Sequence, residues 1–145
     1  MGYSITAFAL VFFLIVGNAN IRRSDIREGS IGTGVASLVA SDMLRIASSI
    51  NDWRYDNVVE DGVVDFANIA LMPRPDYRIN HVIADGRLWI WTTSFPGLIA
   101  ALSERSVTSA LIGVATHGRL TMLDGTDMNL TLPVGVADGD VVYLN

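Results

Sequence analysis

The 145-residue chain carries ten arginines, no lysine and no cysteine against fifteen acids, a net charge of −5 at neutral pH. Without lysine there is no phosphate-binding P-loop, kinase-type ATP site or pyridoxal Schiff base, and without cysteine no thiol nucleophile, disulfide or cysteine zinc site. From Gly29 onward seven arginines face thirteen acids. That is the wrong sign for displacing counterions from phosphates, so nucleic acid is not an expected partner.

The first 21 residues hold no charged side chain. A helix rises about 1.5 Å per residue, so roughly 20 residues cross the hydrocarbon core of a bilayer. Residues 1–21 are therefore expected to form a membrane anchor in contact with lipid, through Ile5, Phe8, Leu10, Phe12, Phe13, Leu14, Ile15 and Val16. Two other readings stay open. Gly17-Asn18-Ala19 places small residues before a secretory cut after Ala19, although the positive segment that precedes such signals is missing. A prepilin-type leader would be cut after Gly2, but the region that follows, YSITAF, lacks the usual glutamate. Arg22, Arg23 and Arg27 border the apolar run, and retention of positive charge would by itself keep the body cytoplasmic.

Residues 22–34 are charged and then glycine-rich, and read as a joint. The soluble domain is expected over 35–145. Val35, Leu38, Val39, Asp42, Met43, Ile46, Ile50 and Trp53 recur at three- and four-residue steps, which predicts an amphipathic helix to about Asp52. The glycines also permit that helix to run on from the anchor. Residues 51–77 have no sustained period and read as loop, with one short strand or helical turn near Val63–Leu71. Ile79–Ile83 and Arg87–Thr92 flank Ala84-Asp85-Gly86, the pattern of a hairpin with a tight turn. Pro96 suits a first helical position, and a short helix should follow to Arg105. Strands are expected at 107–116, 120–123, 130–132 and 141–144, separated by His117-Gly118, Asp124-Gly125 and Asp138-Gly139. Short turns between consecutive strands imply an α+β domain, an antiparallel sheet with two helices on one face.

Candidate chemistry is sparse. His81 and His117 are the only histidines; a zinc or catalytic role would require their strands to pair and Asp85 or Asp124 to join them. Polar strand and turn positions are the simpler reading. Glu60-Asp61-Asp65 and Asp138-Asp140 lack the spaced oxygens and distal glutamate of a calcium loop and read as solvated turns. Gly29, Gly32 and Gly34 do not form a dinucleotide fingerprint, and Asn129-Leu130-Thr131 is a chance glycosylation triplet. No catalytic residue, metal ligand or cofactor is expected. Trp89 and Trp91, two apart on a strand, project from one face with Leu88 and Ile90 on the other. If their face is open, the tryptophan pair is the candidate protein interface; if it is covered, with the aliphatics under a neighbouring layer, the pair is core.

The opening MGYSITAFALVFFLIVGNAN, the amphipathic GTGVASLVASDMLRIASSINDW and the later RLWIWTTSFPGLIAALS together resemble the small PilM family of conjugative thin-pilus (type IVB) systems. The likeness spans essentially the full length and is distinct from the larger actin-like ATPase of the same name. It implies a non-enzymatic inner-membrane component of the pilus basal body or pilin-transport apparatus. Other pilus-assembly proteins are its implied partners, self-association is an allowed addition, and the body is placed in the periplasm, against the arginine rule. A minor pilin or pseudopilin built into the fibre is the alternative.

Overall fold

The computed structural model describes residues 32–106 and 111–145. The expected membrane anchor lies outside them, and no helix among the described residues is long and apolar enough to cross a membrane. The first helix of the described residues, α1, covers 32–56. Gly32 and Gly34, read from the sequence as part of a joint, are helical. Ala36, Val39, Ala40, Met43, Ile46, Ala47 and Ile50 are buried, one stripe at helical spacing. Leu38, expected on that stripe, stands 69% exposed. At 100° per residue it falls off the line that Ala36 and Ala40 occupy, and small alanines let α1 approach its neighbours there.

A six-stranded antiparallel sheet follows: β1 (Asn80–Ala84), β2 (Arg87–Thr93), β3 (Ile112–Thr116), β4 (Arg119–Met122), β5 (Asp127–Thr131) and β6 (Asp140–Leu144), with a short helix, α2 (Leu98–Arg105), between β2 and β3. The spatial order is β1-β2-β6-β3-β4-β5. Because β6 is antiparallel to both β2 and β3, those two run the same way. They are joined through α2, and the last strand fills the gap between them, as in a split βαβ unit. All five residues of β6 are buried, as expected of a central strand covered on both faces.

Two tight turns follow from backbone chemistry. Asp85 and Gly86 have φ of 52° and 72°, and His117 and Gly118 have 52° and 73°. Two successive positive φ values match the right-handed twist of the flanking strands, which is why Asp-Gly reads as a hairpin in advance. His117 takes the aspartate's place in the second turn. The Asp61 carboxylate accepts hydrogen bonds from the amides of Asp85 at 2.9 Å and Gly86 at 3.3 Å. Asp61→Ala should therefore cost about 1 kcal/mol, read as a lower urea midpoint.

Pro96 lies in the turn before α2 instead of at its first position; the N-cap is Gly97, at φ 85°. A Cβ there would meet Ala36 at 3.4 Å, so α2 starts in close contact with α1. Leu98 and Leu102 of α2 join Met43, Ile46 and Ile50 of α1 over Leu88, Ile90, Ile112, Val141 and Tyr143 of the sheet. Both helices thus cover one face, as expected.

The opposite face is closed by the sheet itself. Trp89, Trp91, Leu120, Val142 and Leu144 form a second core, with Met122, Met128, Leu130, Leu132 and Val136 against it. Folding β4 and β5 over that face demands a close approach at β3. A Cβ on Gly113 would lie 2.8 Å from both the Leu120 side chain and the Thr121 carbonyl oxygen. Gly113→Ala should cost about 1–3 kcal/mol through overpacking, measured by the same denaturation. The register of β4 with β5 shifts between Arg119 and Thr121, and Asn129 sits at φ 50° with its amide on the Asp127 carboxylate at 2.7 Å. This irregularity kinks the outer strand and blunts its edge against further pairing.

Strand boundaries shift from the expected ones. The strand expected from 107 begins at Ile112, with 107–110 outside the described residues, and the strand expected at 130–132 is β5, beginning at Asp127. Residues 57–79 contain no strand, only a bridge between Gly62 and Ile83. This segment is tied to α1 by Arg45, whose guanidinium donates to the Pro73 carbonyl at 2.6 Å. Asp42 completes the tie by accepting the Asp76 amide at 2.9 Å.

Candidate functional site

Alternation along β2 places Trp89 and Trp91 on the face away from the helices, as the sequence predicts. Of the two readings left open for the pair, interface or core, their burial fits the second. Trp89 is 3% and Trp91 5% exposed, so the pair is core and not a surface available to a partner. The cover comes from β4, β5 and residues 132–136, none of which pairs with β2. The Trp91 indole N–H donates to the Gly135 carbonyl at 3.2 Å; that of Trp89 is buried without a hydrogen-bond partner.

The two histidines do not meet. His81 lies on β1 and His117 in the β3–β4 turn, with β2, β6 and β3 intervening. His81 is buried; its Nε2 is 2.8 Å from the Val64 carbonyl oxygen and its ring stacks on Phe66 at 4.7 Å. Burial pushes its pKa below the ordinary value, with the bond to Val64 opposing. His117 is exposed.

Of the two carboxylates that could join them, Asp85 is exposed in the β1–β2 turn and Asp124 is engaged within its own turn. Asp124 accepts the Thr126 amide at 2.9 Å, which with the Thr126 side chain holds its pKa below the usual carboxylate range. Asp138 accepts the Gly118 amide at 3.0 Å, and Asp140 the Ala137 amide at 2.9 Å. Among the described residues no three His, Cys, Asp or Glu side chains are grouped to hold a metal ion.

Two open clefts mark the surface. One, of about 330 Å³, lies along Asp65, Phe66, Ala70, Leu71, Met72 and Arg74. Its acid is engaged with its own turn, Asp65 accepting the Ala67 amide at 2.9 Å. The other, of about 560 Å³, lies between α1 and α2, along Ser37, Gly97, Ala100, Glu104 and Arg105. Here the Arg105 guanidinium bonds the Ser37 hydroxyl. Sequence reasoning passed over Phe66 and its neighbours. The alternation of Val64 with Phe66 was the one signal there, too short to separate strand from loop.

The model of the PilM family matches residues 11–144. This chain belongs to the small PilM family of conjugative pilus systems. A crystal structure of a protein named PilM from Escherichia coli B7A is 29% identical, with a TM-score of 0.68, covering 78% of this chain and 93% of that one. A second, of a pilM protein from Pseudomonas aeruginosa 2192, is 25% identical with a TM-score of 0.44, covering 73% of this chain and 90% of that one. No curated protein matches the chain. PilM membership supports a role in pilus assembly, with other pilus-assembly proteins as partners.

Proposed function

We propose that this PilM chain is a non-enzymatic, inner-membrane component of a type IV (thin) pilus or conjugation apparatus. It acts as an anchored scaffold in the basal body or in pilin transport. The observation that carries the reading is the span of the family match. It starts inside the apolar run, at residue 11, and continues to 144, so the family likeness takes in the second half of the run as well as the folded body.

In this reading the apolar residues Ile5 to Val16 lie in lipid and the body faces the periplasm. There a small acidic domain would meet pilin or other assembly proteins. The occupied carboxylates and the absence of lysine and cysteine from the chain favour contact over chemistry.

The test is purification of the full-length chain from detergent-solubilised inner membranes of piliated cells. Recovery with other inner-membrane pilus proteins is expected; recovery of the chain alone after mild cross-linking contradicts the scaffold role. A reporter fused after Asn145 and active only in the periplasm settles the side, and a silent but folded fusion reverses the orientation.

A further inference from the structure

The segment from Gly62 to Leu71 lies along the outer edge of β1 as a strap with few attachments. Gly62 and Ile83 exchange both backbone hydrogen bonds, each 2.8 Å. Two residues on, the His81 imidazole takes the Val64 carbonyl at 2.8 Å and stacks on Phe66. The strap in turn buries Val64 and Leu71, each 5% exposed, and forms the wall of the 330 Å³ cleft. We propose that His81 is a pH-sensitive latch: its neutral imidazole holds the strap on β1, and its protonation releases the strap, uncovering Val64 and Leu71.

The chemistry favours one protonation state. A carbonyl oxygen accepts from Nε2–H, so a single proton on the ring suffices for the bond. A second proton, on Nδ1, would place a charge in a site closed by Phe66 and the core. The pKa of His81 is set by burial and by the bond to Val64, with no charged group among its causes. On α1, Asp42 pairs with Arg45 at 3.2 Å, and Arg54 bonds the Gly86 carbonyl at 2.7 Å. In the strap, Asp61 bonds the hairpin amides and Asp65 the Ala67 amide. Asp85 and Arg87 are exposed at the far end of the hairpin.

The sign follows from burial, which lowers the imidazole pKa in the closed state. The latch is intact above the ordinary value near 6.5, and its contribution falls as pH drops from there toward the lower closed-state value.

The experiment is amide hydrogen exchange on the full-length chain in detergent, corrected for intrinsic rates, between about pH 7.5 and 5. Protection at Gly62 and Ile83, whose amides bond each other's carbonyls, should fall relative to Leu88, whose amide bonds Asn145 within the sheet. Below pH 6.5 the protection should fall by at most about tenfold per pH unit, levelling off below the closed-state pKa. In His81→Phe, which keeps a stacking ring without a titrating nitrogen, the relative protection should be flat. Constant protection in the parent chain, or the same fall in the variant, overturns the latch. If the variant does not fold, NMR titration of the parent decides: the His81 ring and the Gly62 and Ile83 amides share one midpoint, and separate midpoints refute the proposal.

Discussion

Trp91→Ala should lower the stability of the domain by about 3–5 kcal/mol, the range for truncating a buried tryptophan. Trp91 is the centre of the core between the sheet and its folded-over end. It packs beside Leu120, Val142 and Leu144, and its ring edge approaches Gly135, where a Cβ would lie 3.3 Å from it. Alanine leaves a cavity that β4, β5 and residues 132–136 cannot close without leaving the register that Gly113 permits. It also removes the hydrogen bond to the Gly135 carbonyl. Small domains are stable by only about 5–15 kcal/mol, so the loss is a large part of the total.

Trp89→Phe should be milder than Trp91→Phe, because the Trp89 N–H is already without a partner and its removal relieves a desolvated donor. Urea denaturation followed by circular dichroism measures all three. A Trp91→Ala domain of unchanged stability that no longer binds its pilus partners would restore the pair to a surface role and contradict the packing described here.

The second large effect concerns the apolar run. Arginine or aspartate at the centre of a membrane helix costs about 2.5–3.5 kcal/mol each on the insertion scale. Phe12→Arg with Leu14→Asp should therefore oppose insertion by about 5–7 kcal/mol, more than a thousandfold in the partition. The doubly changed chain should leave the carbonate-washed membrane fraction. Its body should keep the parent's urea midpoint, because the described residues of both cores all follow position 34. Retention in washed membranes at the parent's level would count against a lipid-embedded anchor.

The two tryptophan positions also show how far the sequence could be read. Period-two alternation settled their face, because the phase of a strand is local. Exposure was not local. It depended on Met128, Leu130 and Val136, which arrive from a part of the chain whose strand looked short and isolated. The Asp85-Gly86 hairpin was legible to the residue because two positive φ values require such side chains. The central position of β6 was not, since no turn signal tells which edges a final strand will enter.

The strap had the same difficulty. Its ties, Gly62 to Ile83 and Arg45 to Pro73, join positions about 20–30 residues apart and leave no period behind. His81 and His117 read correctly as separate polar positions. That one is latched to a carbonyl and the other shapes a turn came only from the fold.

The central claim is that this PilM chain remains in the inner membrane as an assembly component instead of entering the fibre. Intact-mass measurement of the chain from purified inner membranes and from sheared pili tests it most directly. The account predicts a chain beginning at Met1 or Gly2, found with the membrane and absent from the fibre. A mature chain beginning at Tyr3 and recovered in the pili would contradict it and make the protein a minor pilin.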